Sequence, residues 1–335
     1  MGSPAIGFRS YWQFGREATW DAAATATHRI PFITLAPEPN KGVTPSRLIN
    51  TGVDNPENFN IIGQRNRLRG TTEFQYENFL RLIDAVMGTA SFGSNGGTTT
   101  GPVSTIYTHT FKQRALLNSL TNQASIGDVP AGQVERLQGS KVTELRLAGS
   151  RAFGGDEGVA SLDVATLGRT YATGVSPTGT PTVPTYRPVL FSHLTTVLDG
   201  SGDAADLRAL WSFELTIRNT IAENRLDVMP NGLEPLRNGW TEILLKLETE
   251  YQSKTLRDRY LALTEGALQL IFTEPGVTGR RITLDIPKAN QVEPHSLGIP
   301  DMDVLRQTSM WRAKSDGGSP ATGITITVEN TESAI

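Results

Sequence analysis

The chain has 335 residues, a formal net charge of −3 and no cysteine. The near balance of charge argues against a surface built to grip nucleic acid, and the lack of cysteine excludes disulfide staples and thiolate metal sites. The N-terminal "MGSPAIGFRSYWQFGRE" has no apolar core of signal-peptide length, and no run approaches the roughly 20 apolar residues that span a bilayer; the reading is a soluble protein of the producing cell's cytosol, with no membrane partner.

Along the chain, "GREATWDAAATATHRIPF" (15–32) has no helical or strand period and reads as an extended arm that must find its partners elsewhere. "PEPNKGVTPSRLINTGVDNPENFN" (37–60) is too long for a structureless loop in a compact domain and reads as a docking loop or a mobile excursion. "RGTTEFQYENFLRLIDAVMG" (69–88) starts as a strand, with Thr72, Phe74 and Tyr76 on one face and Glu73 on the other. It then becomes a helix without a loop. Asn78 is the expected N-cap, Leu80, Ile83 and Met87 form one stripe, and Gly88 is the stop. "GSNGGTTTG" (93–101) reads as a flexible loop tip. "STIYTHTF" (104–111), "SKVTELRLAG" (140–149) and "GVASLDVATLG" (158–168) read as strands, the last two as a hairpin.

"TGVSPTGTPTVPTY" (173–186) combines prolines and glycines with almost no charge and reads as an extended linker. It divides the chain into a first domain at 1–172 and a second at 187–335. The second is again written as strands, at 188–198, 211–219, 241–251, 267–274, 280–286, 304–313 and 323–330. Within it, "KLETEYQSKTLRDRYLALTEG" (246–266) repeats the strand-to-helix switch. Ser253 is the expected N-cap, Leu256, Tyr260 and Leu263 form the stripe, and Gly266 is the stop. Glu73 to Glu248, Tyr76 to Tyr251 and Asn78 to Ser253 are each 175 residues apart, whereas the terminal glycines are 178 apart, so the second helix is expected to be about one turn longer. A strand, cap, helix and glycine recurring at one offset argue for tandem duplication. Both stripes are narrow, which suits helices lying on the outside of a sheet.

Catalytic and metal-binding patterns are missing. His28, His109, His193 and His295 have no partner at metal-ligand spacing, and there is no nucleophile elbow, P-loop or dinucleotide fingerprint. His109 reads as a strand histidine packed beside aromatics. Glu248 and Glu250 share a strand face at the spacing of a glycosidase pair, but exposed acidic strand faces are ordinarily just solvated. No enzyme activity and no cofactor is expected.

Several stretches in order carry a resemblance. They are "GREATWDAAATATHRIPF", the Gly70, Glu73 and Tyr76 strand leading into its helix, "YTHTFKQRALLNSLT" (107–121), "GSKVTELRL" (139–147), "FELTIRNTIAENR" (213–225) and the second strand–helix unit. Over nearly its full length the chain resembles tail tube proteins of long-tailed phages, in particular those with two tube domains in one chain. The resemblance implies a mainly β fold of tandem tube domains. Each would be a two-sheet sandwich or partial barrel with one flanking helix, closing into a barrel on oligomerisation.

It also implies a virion protein, made in the host bacterial cytoplasm, that associates with itself in stacked rings. Those rings would be trimeric with pseudo-sixfold symmetry. The implied partners are a tape-measure protein, tail terminator and distal-tail proteins, and DNA in transit without specific binding. A distal-tail or tail-end ring protein of related fold is the alternative, and a carbohydrate-active enzyme a more distant one. Glu73, Glu144, Asp163, Glu248 and Glu250, on charged strand faces, are the candidates for a channel lining that does not hold phosphates. Segments 1–28 and 37–60 are expected to order only against neighbouring rings.

Overall fold

A computed structural model describes residues 10–45, 59–103, 105–125, 134–151, 158–181, 185–202, 207, 209–227, 232–277, 279–293, 296–298 and 304–333. The first half of the chain contributes β1 (Tyr11–Arg16), β2 (His28–Ile30), β3 (Thr34–Glu38), β4 (Lys41–Pro45), β5 (Phe59–Gln64), β6 (Asn66–Glu73), helix α1 (Leu80–Met87), β7 (Thr98–Val103), β8 (Ile106–Lys112), β9 (Leu120–Ser125), β10 (Val134–Ser150), β11 (Ser161–Gly168) and β12 (Thr170–Val175). The second contributes β13 (Leu194–Leu198), β14 (Ser201–Gly202), β15 (Leu210–Ile221), β16 (Arg237–Glu250), helix α2 (Thr255–Leu261), β17 (Gly266–Thr273), β18 (Arg281–Gln291), β19 (Ser296–Gly298), β20 (Arg306–Ala313) and β21 (Thr325–Asn330). The protein is mainly β, and every strand pair among the described residues is antiparallel.

The largest sheet runs β3–β6–β11–β10–β15–β16–β20–β19. Its first four strands come from the first half and its last four from the second. Within each set the order in chain rank is first, second, fourth, third, with the helix following the second strand. The two sets meet where β10 pairs with β15, from Glu144↔Arg218 to Ser150↔Ser212. Opposite lies β14–β13–β17–β18–β21–β8–β7, in which the C-terminal β21 is shared between β18 of the second half and β8 of the first. A third set, β2–β1–β9, continues into the N-terminal part of β10 and then β12.

Strand periodicity places the core. Leu145 and Leu147 of β10, Leu162 and Val164 of β11, Leu215 and Ile217 of β15, and Leu245 and Leu247 of β16 are all buried on one side of the large sheet. They belong to one continuous cluster with residues of the opposite sheet such as Leu270, Leu284 and Ile326. Phe74 of the first half meets Phe272 of the second at 6.3 Å between ring centroids, and Phe272 meets Phe213 at 5.5 Å. The two halves share this core.

The first helix departs from the expected outer position. Leu80, Ile83 and Met87 are buried, but so are Leu82, Asp84, Ala85 and Val86, leaving only Arg81 partly accessible. A helix apolar nearly all round belongs inside. It packs on β10 and β8. Asn78 is also not its cap: Phe79 holds that position, while Asn78 takes a left-handed backbone (φ 73) and its amide Nδ2 donates to the Arg29 carbonyl. Asparagine tolerates that conformation better than most residues. Gly88 ends the helix with φ 87, as expected; a Cβ there would lie 2.4 Å from the Leu116 carbonyl oxygen.

The second helix is shorter than the first, not longer. It ends at Leu261, and the chain turns at Leu263 (φ 51), so Leu263 leaves the stripe and is exposed. Leu256 is buried and Tyr260 half-buried. Gly266 is the first residue of β17 rather than a helix stop. Ser253 Oγ accepts the Thr255 N–H at 3.1 Å, one residue before the capping position at Lys254. The two helices start 175 residues apart, at Leu80 and Thr255.

The arm finds its partners within the chain. Trp12 and Phe14 of β1 are fully buried, and β1 pairs with both β2 and β9. The buried carboxylate of Glu17 accepts from Ser119 Oγ (2.5 Å), Thr121 Oγ1 (2.8 Å), and the N–H groups of Gly139 (2.8 Å) and Asp21 (2.9 Å). Four donors satisfy a group whose burial would otherwise be very costly. Residues 1–9 and 46–58 lie outside the described residues. The described flanks of the long loop form the β4–β5 hairpin, anchored where Arg65 Nε donates to Asp227 at 3.0 Å. The "GSNGGTTTG" tip enters strand β7. The 188–198 strand is interrupted by a 3-10 turn at Phe191–His193. The described residues of 173–186 follow the first half: Thr178 Oγ1 donates to the Ala24 carbonyl at 2.9 Å, and Tyr186 donates to Glu73.

Candidate functional site: the open face of the large sheet

One side of the large sheet faces the core, so alternation sends the intervening residues to the other side. Thr71 and Glu73 of β6, Asp163 of β11, Glu144 and Arg146 of β10, Glu214 and Arg218 of β15, Glu242, Lys246, Glu248 and Glu250 of β16, and Arg306 and Arg312 of β20 all stand there, at least partly accessible. All five acidic residues singled out from sequence share this face, although they come from four strands and both halves.

The face is a lattice of opposite charges. Arg146 donates to Glu214 at 2.6 Å and lies 3.7 Å from Asp163. Arg218 donates to Glu144 at 2.9 Å and lies 3.7 Å from Glu242, which Arg312 also engages. Glu248 accepts from Ser212 Oγ at 3.0 Å and sits 3.6 Å from Arg306. Glu250 accepts the indole N–H of Trp211 at 3.2 Å, and the Arg306 guanidinium lies 3.8 Å from the centre of that indole ring. Hydrogen bonding to Glu214 holds the Arg146 guanidinium above its ordinary range. Two of these pairs, Arg146–Glu214 and Arg218–Glu144, cross the β10–β15 joint between the halves.

The sequence analysis singles out the carboxylates of this face; the structure adds the arginines interleaved with them. The signal was present, since Glu144 and Arg146 alternate in "TELRL" and Glu214 and Arg218 in "FELTIR". Glu248 and Glu250 are engaged by Ser212, Arg306 and Trp211 rather than facing one another across a cleft.

A second polar cluster lies where the C-terminal segment meets the turn before α1. Asn330 Nδ2 donates to the Tyr76 carbonyl at 3.1 Å, Thr331 Oγ1 donates to Glu77 at 2.9 Å, and Arg280 Nε donates to Glu77 at 3.0 Å. Glu332 accepts the Asn78 N–H. Burial, reinforced by the nearby Glu77, pushes the Glu332 carboxyl up to about 7. His109 is fully buried, 2.9 Å from the Glu332 carbonyl and 3.0 Å from Thr99 Oγ1, with Tyr107 stacked beside it. Burial lowers its pKa from the ordinary range. Among the described residues no group of three or more His, Asp or Glu side chains could hold a metal ion, and no helix is long and apolar enough to cross a membrane.

An extended antiparallel sheet with one ion-paired open face and its charge spread over both halves is the build of a structural β protein. The chain matches the family model of the phage tail tube protein over residues 7–331 and belongs to that family. It is therefore a structural component of the virion tail and not an enzyme. No curated protein matches it in sequence.

Proposed function

We propose that this chain is the repeating subunit of the tube wall, and that it arose by duplication of one tube domain. The observation that carries this reading is the order of the large sheet. Four strands of the first half are followed by four of the second in the same rank order, joined by a β10–β15 ladder. If the joint between chains repeats the joint within a chain, β19, the outer strand of the large sheet at one end among the described residues, meets β3, the outer strand at the other end, of the next copy. Sheet edges are then removed by closure of a ring. Three chains supply six such four-stranded units, giving a trimeric ring with pseudo-sixfold symmetry. Rings stack around a tape-measure protein, with the tail terminator and distal-tail proteins at the two ends.

In this reading the open face lines the channel, with Glu73, Glu144, Asp163, Glu248 and Glu250 as lining residues. DNA presents a charge about every 1.7 Å of duplex, so a row of unpaired guanidinium groups would hold it. Here the guanidinium groups of Arg146, Arg218, Arg306 and Arg312 each have a carboxylate partner. Such a wall presents little net charge to passing phosphates.

Electron microscopy of the purified chain tests this. Stacked rings of three chains with a central channel are expected. Rings of six chains, or rings that do not stack, overturn the trimeric tube, the latter favouring a distal-tail role. Dispersed monomers overturn assembly altogether.

A further inference from the structure

Helix α1 and the loop after it enclose a group of side chains that the open face does not use. Gly88 ends the helix, and the chain doubles back so closely that a Cβ on Gly96 would lie 1.9 Å from the Gly88 carbonyl oxygen, so only glycine fits there. The loop is pinned by Asn118, whose Nδ2 donates to the Ser94 carbonyl at 2.8 Å and whose Oδ1 accepts the Gly93 N–H at 3.1 Å. The same Nδ2 donates to Asp84 Oδ2 at 3.0 Å, and Asp84 Oδ1 accepts the Gly96 N–H at 2.5 Å. Packing has thus set the pair Asn95–Gly96 against a buried carboxylate.

Asn95 itself is exposed, and its Oδ1 accepts from two guanidinium groups, Arg16 at the end of β1 and Arg81 of α1, the latter at 3.2 Å. Guanidinium groups only donate, so the atom they share is the amide oxygen. The two cations are short of acid. Arg16 lies 3.9 Å from Asp84 Oδ2, while Asp84 Oδ1 is committed to Gly96, and Arg81 Nε is buried with no hydrogen-bond partner among the described residues. Burial, reinforced by the charge of Arg16, lowers the Arg81 guanidinium to about 10. Burial also raises the Asp84 carboxyl from its ordinary range, so its anion is a stronger base than a carboxylate in water.

We propose that Asn95–Gly96 is a self-modifying site at which the folded chain converts the Asn95 amide to a carboxylic acid, with Asp84 as the general base and Arg16 and Arg81 as the oxyanion donors. Asp84 takes the Gly96 N–H proton while the Gly96 nitrogen adds to Asn95 Cγ. These atoms belong to neighbouring residues, so a five-membered ring closes without the approach of distant elements. The Asn95 oxygen gathers negative charge between the two guanidinium groups. The Cγ–NH2 bond then breaks, its nitrogen recovers the proton from Asp84 and leaves as ammonia, and a succinimide remains. Water opens the succinimide at either carbonyl, giving aspartate or isoaspartate. In sum one water is consumed and one ammonia released, with no oxidant or reductant. An N–H held by a carbonyl would only be kept from reacting, because a carbonyl does not take the proton; a carboxylate does. The new acid supplies the partner that Arg16 and Arg81 lack and fastens the end of β1 to α1. The inference concerns the single chain and does not depend on its assembly.

The test ages the full chain at mildly alkaline pH, folded and in urea, and follows the tryptic peptide of residues 82–112, whose one asparagine is Asn95, by mass spectrometry with aspartate and isoaspartate separated. Folded wild type is expected to convert at least about tenfold faster than the same chain in urea, where the dipeptide has no base beside it. Asp84→Asn keeps an oxygen facing the Gly96 N–H and removes the base, and Arg16→Gln removes one oxyanion donor. Each is expected to slow the folded rate about tenfold or more. Asn95→Asp, which installs the product, is expected to melt above Asn95→Gln. A folded rate equal to or below the rate in urea overturns the proposal, since the fold then only protects the amide; this comparison decides even if Asp84→Asn does not fold. Conversion of folded Asp84→Asn at the wild-type rate overturns the base, and an Asn95→Asp midpoint no higher than that of Asn95→Gln overturns the need of the two arginines for an acid. Wild type isolated already as the acid, with the amide retained in Asp84→Asn, is the expected result in its fastest form.

Discussion

Each of the two helices follows the second strand of a four-strand set with the same rank order, yet one is interior and the other is surface. Seven of the eight residues of α1 are buried, whereas α2 buries only Leu256. The difference comes from the surroundings. Helix α1 lies among β8, β10 and, through Asn219, the second half. The third strand set, with β1, β2 and β9, belongs to the first half alone. The same motif at equal spacing can therefore be core in one setting and an available surface in another, because a neighbour decides burial more than helix propensity does.

The largest break in this comparison should come from Leu80→Ala. It opens a cavity in a fully enclosed site and is expected to cost about 2–5 kcal/mol of stability by urea denaturation. Leu261→Ala should leave the free chain within about 0.5 kcal/mol of wild type, as for surface changes generally. Equal losses at both positions would erase the distinction between the helices.

Glu332 sharpens the comparison by pH, since it holds the turn that leads into α1. Its folded pKa of about 7 lies above the ordinary 4.5, so the folded chain binds this proton more tightly than the unfolded chain does. That contribution is complete below about pH 4.5 and is lost as pH rises through 7; the shift sets its size at roughly 3 kcal/mol. Denaturation midpoints at pH 5 and pH 8 should differ in wild type, and the difference should shrink in Glu332→Gln. An unchanged difference would place the titration elsewhere.

Asn219→Ala removes the amide that bonds the Val86 and Val142 carbonyls and is expected to cost about 1–3 kcal/mol, the penalty for buried acceptors left without donors. Hydrogen exchange should quicken at the C-terminal end of α1 and not in α2. The smallest effect is expected from Glu73→Gln, which keeps the shape of a partly accessible side chain. Its thermal midpoint should stay close to wild type, since the glutamine still offers an oxygen to the Tyr186 hydroxyl and exposed polar contacts contribute little.

Legibility from sequence followed local pattern. Strand alternation predicts that Glu73, Glu144, Asp163, Glu248 and Glu250 stand on charged strand faces, and the offset of 175 recurs in the helix starts at Leu80 and Thr255, because both are written in local pattern. The burial of α1 is not legible: Val86 and Ala85 are compatible with either setting, and the helix is enclosed by β8, by β10 and, through Asn219, by β15, which is more than a hundred residues further on. The place of the arm is hidden for the same reason. Its partners, Ser119, Thr121 and Gly139, are distant in sequence, and no periodicity within "GREATWDAAATATHRIPF" could announce them. The arginines of the open face were legible in principle, once basic as well as acidic residues at alternating positions are read together.

The position of β21 bears on how the molecule is made. The strand fills the gap between β18 and β8, and Glu332 fastens the turn before α1. Its ladder with β8 joins residues more than 200 positions apart, so one side of β8 stays unpaired until β21 has been made. The two halves are in this way obliged to finish folding together, since neither completes its share of this sheet before the other arrives.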